Sequence, residues 1–213
     1  LAVVGPTGSG KSTLIRLLGR FYNFHRGTIF LDGVDLLDLD SKDLRQRVGV
    51  VMQDFHIFSG SILDNITLGN PSISDEQGIE AARAVNAHSF IESLPEGYQT
   101  QLVERGQNLS QGQRQLLAFA RVLAANPEIL VLDEATASID TETEEIIQIA
   151  LKIIMKGRTS ILIAHRLKTI QEADRILVLK NGRVKEIGTH DQLMANKDVY
   201  YTLSQLQFQD VSI

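Results

Sequence analysis

A chain of 213 residues, 43% of them hydrophobic and 22% charged, is long enough for one sizeable globular domain or for a core with a subdomain. No apolar stretch approaches the roughly 20 residues that a membrane-spanning helix needs, and the lack of cysteine excludes disulfides and thiolate metal sites. The net charge of −5, with no cluster of Lys and Arg, argues against a dedicated nucleic-acid surface.

The chain begins with a buried-strand pattern that leads directly into a glycine-rich loop. Leu1–Val4 is a continuous apolar run, typical of a parallel strand buried on both faces. The loop Gly5-Pro6-Thr7-Gly8-Ser9-Gly10-Lys11-Ser12 has the form GxxxxGK[ST], and apolar residues at helical spacing follow it. Such a loop turns backbone N–H groups toward an anion at the positive end of a helix, within reach of Lys11 and of a Mg²⁺ held by Ser12. The pattern predicts a nucleoside triphosphate site.

Predicted strands and helices then alternate as far as a break at Asn70-Pro71. The patterns predict strands at 28–31 and 48–52 and a short helix at 41–47. Beyond the break, Ser74 lies three residues before Gln77, which is a capping-box pattern. We expect this box to begin a helix that reaches about Leu94.

The second half of the chain continues the alternation. Its predicted elements are a helix at 110–123, strands at 129–132 and 159–163 around an amphipathic helix at 141–155, strands at 175–179 and 183–187, and short helices at 191–194 and 199–207. Asn181-Gly182, between the last two strands, is a strong hairpin-turn signal. The sum predicts an α/β domain with a mostly parallel sheet. Its core would comprise residues 1–72 and 126–213, the latter with the C-terminal helices, and a largely helical subdomain would occupy 73–125.

Polar side chains follow several of the predicted buried strands, at the edge where open α/β sheets bind ligands. Asp133 and Glu134 come directly after one strand, placed to hold the water shell of Mg²⁺ and to orient or deprotonate an attacking water. Gln53 and His165 follow two other strands and are candidates for sensing the metal and contacting the terminal phosphate. Taken alone, these residues would be surface acids, a solvated loop amide and a structural histidine; the neighbouring phosphate loop favours a catalytic site.

Taken in order, the motifs closely resemble those of the ATP-binding cassette (ABC) ATPases, over essentially the whole chain. They are Gly5–Ser12, Gln53, Leu109-Ser110-Gln111-Gly112-Gln113, Asp133-Glu134, Ser138-Ile139-Asp140 and His165. The run 109–113, the signature, is the specific part, since other phosphate-loop ATPases lack it. The resemblance implies a phosphate-loop NTPase fold with a RecA-like core, and a domain that works as a pair. Two ATP molecules would lie between the loop of one domain and the signature of the other.

The resemblance also implies a role for each motif residue. Those expected to bind the nucleotide are Gly5, Thr7, Gly8, Ser9, Gly10, Lys11, Ser12 and Thr13, with Ser110, Gly112 and Gln113 contributed across the pair. The expected Mg²⁺ ligands are Ser12, Gln53 and, through water, Asp133. The expected catalytic residues are Glu134 as base, His165 at the γ-phosphate, Lys11 and Gln53. Asp140 is expected to link the two domains at the nucleotide interface.

Three further stretches resemble exporters of the multidrug or lipid type. They are Phe58–Ile66, residues 100–106 and Gly188–Leu193. Val103 replaces the glycine that is usual in the second stretch. In such exporters the transmembrane domain lies upstream in the same polypeptide, and the nucleotide-binding domain lies at the cytoplasmic face of the cell or inner membrane. The expected partners are that transmembrane domain and a second nucleotide-binding domain, identical or different, but no nucleic acid. Because Leu1 would begin a buried central strand, we expect an N-terminally truncated piece of a longer polypeptide.

Two departures from the family pattern and two alternatives bear on this interpretation. Gln111 replaces the usual glycine of the signature, as one half of a heterodimeric exporter with unequal sites would allow, and the aromatic residue that stacks on adenine lies upstream of Leu1.

One alternative is a soluble ABC ATPase that acts on ribosomes or DNA; the 99 residues from Lys11 to Ser110 leave no room for the long coiled coil of the DNA-repair members. The other is a non-hydrolysing, nucleotide-gated module, which predicts the loss of Glu134 or His165.

Overall fold

The computed structural model describes residues 1–52, 56–133, 141–163 and 167–209. Ten strands lie within these ranges: β1 (Ala2–Val4), β2 (Phe30–Leu31), β3 (Val34–Asp35), β4 (Val48–Val51), β5 (Gly60–Ser61), β6 (Gln101–Leu102), β7 (Ile129–Asp133), β8 (Thr159–Ile163), β9 (Ile176–Lys180) and β10 (Arg183–Gly188). Ten α-helices accompany them: α1 (Lys11–Leu18), α2 (Ser41–Arg47), α3 (Ile62–Thr67), α4 (Asp75–Ala84), α5 (His88–Glu92), α6 (Gln111–Ala125), α7 (Thr141–Met155), α8 (Leu167–Gln171), α9 (His190–Asn196) and α10 (Val199–Gln209).

The main sheet has six strands in the order β10-β9-β1-β8-β7-β4. Strand β1 pairs in parallel with β8 along one edge and with β9 along the other, so it is a central strand of the sheet. Ala2 and Val3 are accordingly 0% exposed. Strand β10 pairs antiparallel with β9, around the turn at Asn181-Gly182. The predicted buried strand, the hairpin and the mainly parallel sheet are therefore confirmed.

Within the described ranges, four helices begin with a complete capping box. In each, the side-chain oxygen of the N-cap residue accepts a hydrogen bond from the backbone of the third helical residue, whose side chain accepts one in return. The N-cap residues are Ser61 of α3, Ser74 of α4, Ser110 of α6 and Thr189 of α9. The box predicted at Ser74 is confirmed, and reciprocal bonds of this kind explain where these helices begin.

Two predicted elements differ from the structure. The helix predicted from Ser74 to about Leu94 is interrupted, since α4 ends at Ala84 and α5 begins at His88. Asn86 lies between them with φ of 60°, a left-handed conformation that asparagine tolerates and that ends a helix. The strand predicted at 28–31 is shorter in the structure, where β2 covers only Phe30–Leu31 and pairs with β3 in a two-stranded hairpin.

The chain divides into two compact units. Unit 1 comprises Leu1–Arg45, Val131–Ala135 and Thr159–Ile213, and it contains the loop after β1, α1 and the β9–β10 hairpin. Unit 2 comprises Gln46–Leu130 and Thr136–Arg158, and in it α6 packs against α3, α4 and α7. The predicted bounds at 72/73 and 125/126 stay a prediction.

Among the described helices, none has both the length and the apolar character needed to cross a membrane.

Candidate functional site

One group of predicted nucleotide-binding residues lies in the loop between β1 and α1, in unit 1. Its three glycines all have positive φ, at 155° for Gly5, 77° for Gly8 and 105° for Gly10. Residues with side chains rarely adopt such angles, so the glycines let the chain turn sharply from the strand into the helix. Gly10 is the N-cap of α1 and carries no capping side chain. The backbone N–H groups of the first turn of α1 therefore have no side-chain cap from Gly10, as an anion-binding helix start requires.

The β9–β10 hairpin supports this loop from the side. A methyl group at Gly5 would lie 2.1 Å from the carbonyl oxygen of Leu179, a distance that excludes any other residue there. The N–H of Gly182, in the hairpin turn, donates to the carbonyl of Ser9 at 2.9 Å. The hairpin was predicted from its turn residues, but its role in bracing the loop was not.

Lys11 lies across the loop that precedes it. Its Nζ donates to the carbonyl oxygens of Gly5 at 2.8 Å and Pro6 at 3.1 Å. Burial lowers the pKa of Lys11 below its ordinary value, and the carboxylate of Asp133, at the end of β7, opposes that effect. Lys11 and Asp133, both predicted site residues, are therefore close enough for their opposite charges to attract each other.

Three hydroxyl groups complete the loop. Ser9 Oγ is buried and has no hydrogen-bond partner among the described residues, whereas Ser12 and Thr13 lie exposed on the first turn of α1. A buried hydroxyl without a partner is costly unless a ligand or water satisfies it. With the ammonium of Lys11 and the start of α1, these donors fit a polyphosphate. The oxygens of Ser12 and Asp133 are of the type that Mg²⁺ prefers.

The signature, in unit 2, is built on the start of α6. Ser110 Oγ accepts from the N–H of Gln113 at 3.2 Å, and Gln113 Oε1 accepts from the N–H of Ser110 at 2.9 Å. Gln113 therefore has a structural role in the cap in addition to the predicted contact with nucleotide. Ser110 is exposed, and no hydrogen bond from its O–H is seen among the described residues, so the hydroxyl can also donate outward.

Gly112 is buried where α6 meets α7. A methyl group on it would lie 2.1 Å from Cγ2 of Thr143. The residue thus serves close helix packing, which is a role that the sequence did not indicate. Arg114, in the first turn of the helix, donates from Nη1 to the carbonyl oxygens of Leu109 at 2.6 Å and Gly106 at 3.3 Å, and so holds the chain that leads into the signature.

The two exporter-like stretches around this helix are paired with each other. Strands β5 and β6 form a two-stranded sheet in which Gly60 is opposite Leu102. The N–H of Arg105 donates to the carbonyl of Ile57 at 3.2 Å, which extends the contact. The stretch after Gln53 and the stretch before the signature therefore form one structural piece within unit 2.

The predicted site residues fall into three groups. The loop residues, Lys11 and Asp133 come together in unit 1, and Ser110, Gly112 and Gln113 lie at the start of α6 in unit 2. Gln53, Glu134, Asp140 and His165 lie outside the described residues. All the assigned roles in nucleotide binding and catalysis stay predictions.

Two residues that the sequence analysis did not single out also belong to this region. Arg121, on α6, donates to the carbonyl oxygens of Asn65 and His56. Asn65 is 1% exposed, and it hydrogen-bonds the backbone of Phe58 and Ser61. The sequence did contain a signal for Arg121, because an arginine among the apolar residues of a predicted helix requires hydrogen-bond partners where it is buried.

The comparisons with known proteins agree on one family. The family model described as "ABC transporter" matches residues 1–137. YknV of Bacillus subtilis, an uncharacterized ABC transporter ATP-binding protein, is 54% identical over 208 residues, which are 98% of this chain and 34% of that protein. YgaD of the same organism, a putative multidrug export ATP-binding/permease protein, is 48% identical over 207 residues, which are 97% of this chain and 36% of that protein.

A solved structure gives the same result. A bacterial Atm1-family ABC exporter with ATP bound matches with a TM-score of 0.88 and 43% sequence identity, over 97% of this chain and 36% of that one. This likeness confirms the predicted phosphate-loop NTPase fold. The chain spans about a third of the length of the relatives that it matches. Since the family model covers well over half of the 213 residues, the chain belongs to the ABC transporter family.

Proposed function

We propose that this chain is the ATP-hydrolysing nucleotide-binding domain of an ABC exporter. The observation that carries the proposal is the loop before α1, in which three glycines have positive φ and Lys11 Nζ donates to the backbone of Gly5 and Pro6. The names of the relatives support export over action on ribosomes or DNA, because YgaD is described as a multidrug export protein and the structural neighbour is an exporter.

Binding would begin with the triphosphate. The loop N–H groups and the start of α1 would accept the phosphate oxygens, and Lys11 would leave the carbonyl oxygens of Gly5 and Pro6 for the outer phosphates. The lowered pKa of Lys11 reflects its burial, and an anion within the loop would favour the charged lysine. Ser9, Ser12 and Thr13 would donate their hydroxyl protons to the same oxygens.

Mg²⁺ would be held by Ser12, Gln53 and, through water, Asp133, and when bound it neutralises charge on the β- and γ-phosphates. Ser12 and Asp133, which lie within the described residues, fit the ion, since Mg²⁺ sites combine one or two protein oxygens with substrate phosphates. Glu134 would orient or deprotonate the attacking water, and Gln53 and His165 would hold the water and the γ-phosphate. These residues stabilise charge that develops during transfer.

A second domain would complete the site. Ser110 lies at the start of the 15-residue helix α6, which presents a positive dipole end and an exposed hydroxyl. Facing a nucleotide held by a partner's loop, it would neutralise the γ-phosphate from the opposite side, and Asp140 would join the domains across the interface. The partner domain would be identical or different, and a transmembrane domain would receive the motion at the cytoplasmic face of the membrane.

The test measures ATP binding and turnover in the same variants. We expect Glu134→Gln to bind ATP and Mg²⁺ as the unmodified chain does and to hydrolyse it about 10²–10⁴-fold more slowly, because only the handling of water is lost. Lys11→Ala should weaken binding by about tenfold or more, roughly 1.4 kcal/mol, because it removes the charge that meets the phosphates. Lys42→Ala, at an exposed lysine of α2, is the matched control and should change neither.

Near-normal turnover in Glu134→Gln would remove that residue from the role of base. Unchanged binding in Lys11→Ala would contradict the proposed nucleotide site itself. Equilibrium binding of a fluorescent ATP analogue and a phosphate-release assay give the two readouts.

A further inference from the structure

Segment 56–66 comprises β5, the start of α3 and the irregular residues 56–59 that precede them, and the side chain of Asn65 ties these parts together. Its Oδ1 accepts from the N–H of Phe58 at 2.9 Å, and its Nδ2 donates to the carbonyl oxygens of Phe58 at 2.9 Å and Ser61 at 3.0 Å. The backbone of Phe58 lies in no strand or helix, and backbone groups of this kind need such bonds where they are shielded from water. Asn65 thus holds the segment in its shape.

Arg121 attaches this segment to α6. Its Nε donates to the carbonyl of Asn65 at 2.8 Å, its Nη1 to the carbonyl of His56 at 3.0 Å, and its Nη2 lies 3.4 Å from Asn65 Oδ1. Its guanidinium carbon also lies 5.8 Å from the centre of the Phe58 ring. A planar fork of donors can engage these acceptors together, which a lysine cannot.

The guanidinium of Arg121 is partly shielded from water, and the oxygens that accept its hydrogen bonds are uncharged. Burial lowers the pKa of Arg121 to about 10, so the side chain keeps its charge at neutral pH. If the hydrogen-bond acceptors of a charge shielded from water move away, the protein is strongly destabilised. Segment 56–66 and Arg121 are therefore expected to move together.

Helix α6 extends this link to the signature. Ser110 caps the helix, and Arg121 lies eleven residues further on, about 16 Å along a rigid element. Near Ser110, Arg114 holds Leu109 and Gly106, so α6 is fixed to the surrounding chain at both positions. A displacement of the helix start on contact with nucleotide would reach segment 56–66 through Arg121.

We propose that Arg121 is a positioning residue that couples the nucleotide-facing start of α6 to segment 56–66, by its hydrogen bonds to His56 and Asn65. The inference rests on the proposed function, because it takes Ser110 to face a nucleotide in the assembled pair. It adds a residue that acts through α6 rather than by contact with the nucleotide. Its loss should separate nucleotide binding from the response of segment 56–66.

The experiment follows hydrogen–deuterium exchange of peptides covering residues 56–66, with and without a slowly hydrolysed ATP analogue and Mg²⁺. It uses a protein concentration at which the nucleotide-bound pair forms. In the unmodified chain we expect nucleotide to slow exchange several-fold. Arg121→Met should keep nucleotide affinity within about threefold, since the loop before α1 is untouched, and should lose the slowing.

Two further variants separate coupling from general stability. Arg121→Lys keeps the positive charge but not the planar set of guanidinium donors, and should retain less than half of the slowing of exchange in segment 56–66. If Arg121→Met is unfolded at the assay temperature, the result for Arg121→Lys alone tests the inference. Arg83→Met, at an exposed arginine of α4, should behave as the unmodified chain does.

The outcomes distinguish the inference from the proposed function. Equal slowing in Arg121→Met and the unmodified chain, or full slowing in Arg121→Lys, overturns the role of Arg121. Nucleotide binding without any change in segment 56–66 of the unmodified chain overturns the inference alone. A chain that binds no nucleotide overturns the proposed function and the inference with it.

Discussion

At the scale of single residues, Gly5 and Gly112 both lie where a side chain has no room, but for different reasons. Gly5 has positive φ and also lies against the carbonyl of Leu179. Gly112 has ordinary helical geometry within α6, and what excludes a side chain is the methyl group of Thr143 on α7. Rules that relate glycine to turns therefore do not identify a glycine such as Gly112.

Gly112→Ala should therefore destabilise unit 2. The added methyl group would lie 2.1 Å from Thr143 Cγ2, so α6 and α7 must shift apart or Thr143 must leave its rotamer. Overpacking of this kind costs about 1–3 kcal/mol. Urea unfolding followed by circular dichroism measures the loss.

Thr143→Ser supplies the control for that prediction. It removes the opposing methyl group and keeps the hydroxyl, so the double variant Gly112→Ala/Thr143→Ser should recover most of the lost free energy of unfolding. Additive costs in the double variant would show that this contact is not the cause.

At the scale of elements, α6 organises unit 2. Its start carries the signature, its apolar side packs against α3, α4 and α7, and Arg114 and Arg121 hold the chain on either side of the β5–β6 pair. Leu117 and Ala120 on this helix are 0% exposed. A helix fixed at so many points is suited to move as a unit.

Ser110→Ala and Ser74→Ala provide a matched test of the signature cap. Both serines form the same capping box, so each substitution should cost about 1 kcal/mol of stability. Only Ser110→Ala should also lower ATP turnover, by roughly tenfold, since only that hydroxyl is proposed to face nucleotide. Thermal unfolding and phosphate release are measured for both variants. Equal turnover in the two would assign Ser110 a purely structural role.

At the scale of the whole molecule, the proposed function requires two domains. We expect Glu134→Gln with ATP and Mg²⁺ to sediment as a dimer, because the bound nucleotide would join the loop of one domain to the signature of the other and would not be consumed. Lys11→Ala under the same conditions should remain monomeric. Sedimentation velocity with and without ATP measures both.

Rapid ATP hydrolysis by a strict monomer would contradict the shared site. A chain that stays monomeric and inactive would instead indicate that the partner is a different domain or requires a longer polypeptide.

The elements that the sequence predicted well are those fixed by near neighbours along the chain. The apolar run of β1, the box at Ser74, the turn at Asn181-Gly182 and the loop before Lys11 each depend on residues only a few positions apart. The break between α4 and α5 was missed although Asn86 offered a local signal, because its apolar neighbours continue the helical spacing.

The fold class, the phosphate-type loop and the family resemblance thus follow from residue patterns alone. Three contacts emerge only in the folded chain: the β9–β10 hairpin supports the loop, Gly112 makes room for Thr143, and Arg121 ties α6 to segment 56–66. These contacts join residues far apart in the chain, such as Gly5 with Leu179 and Arg121 with His56. Their geometry follows from how strands and helices pack, and no short-range pattern in the sequence records it.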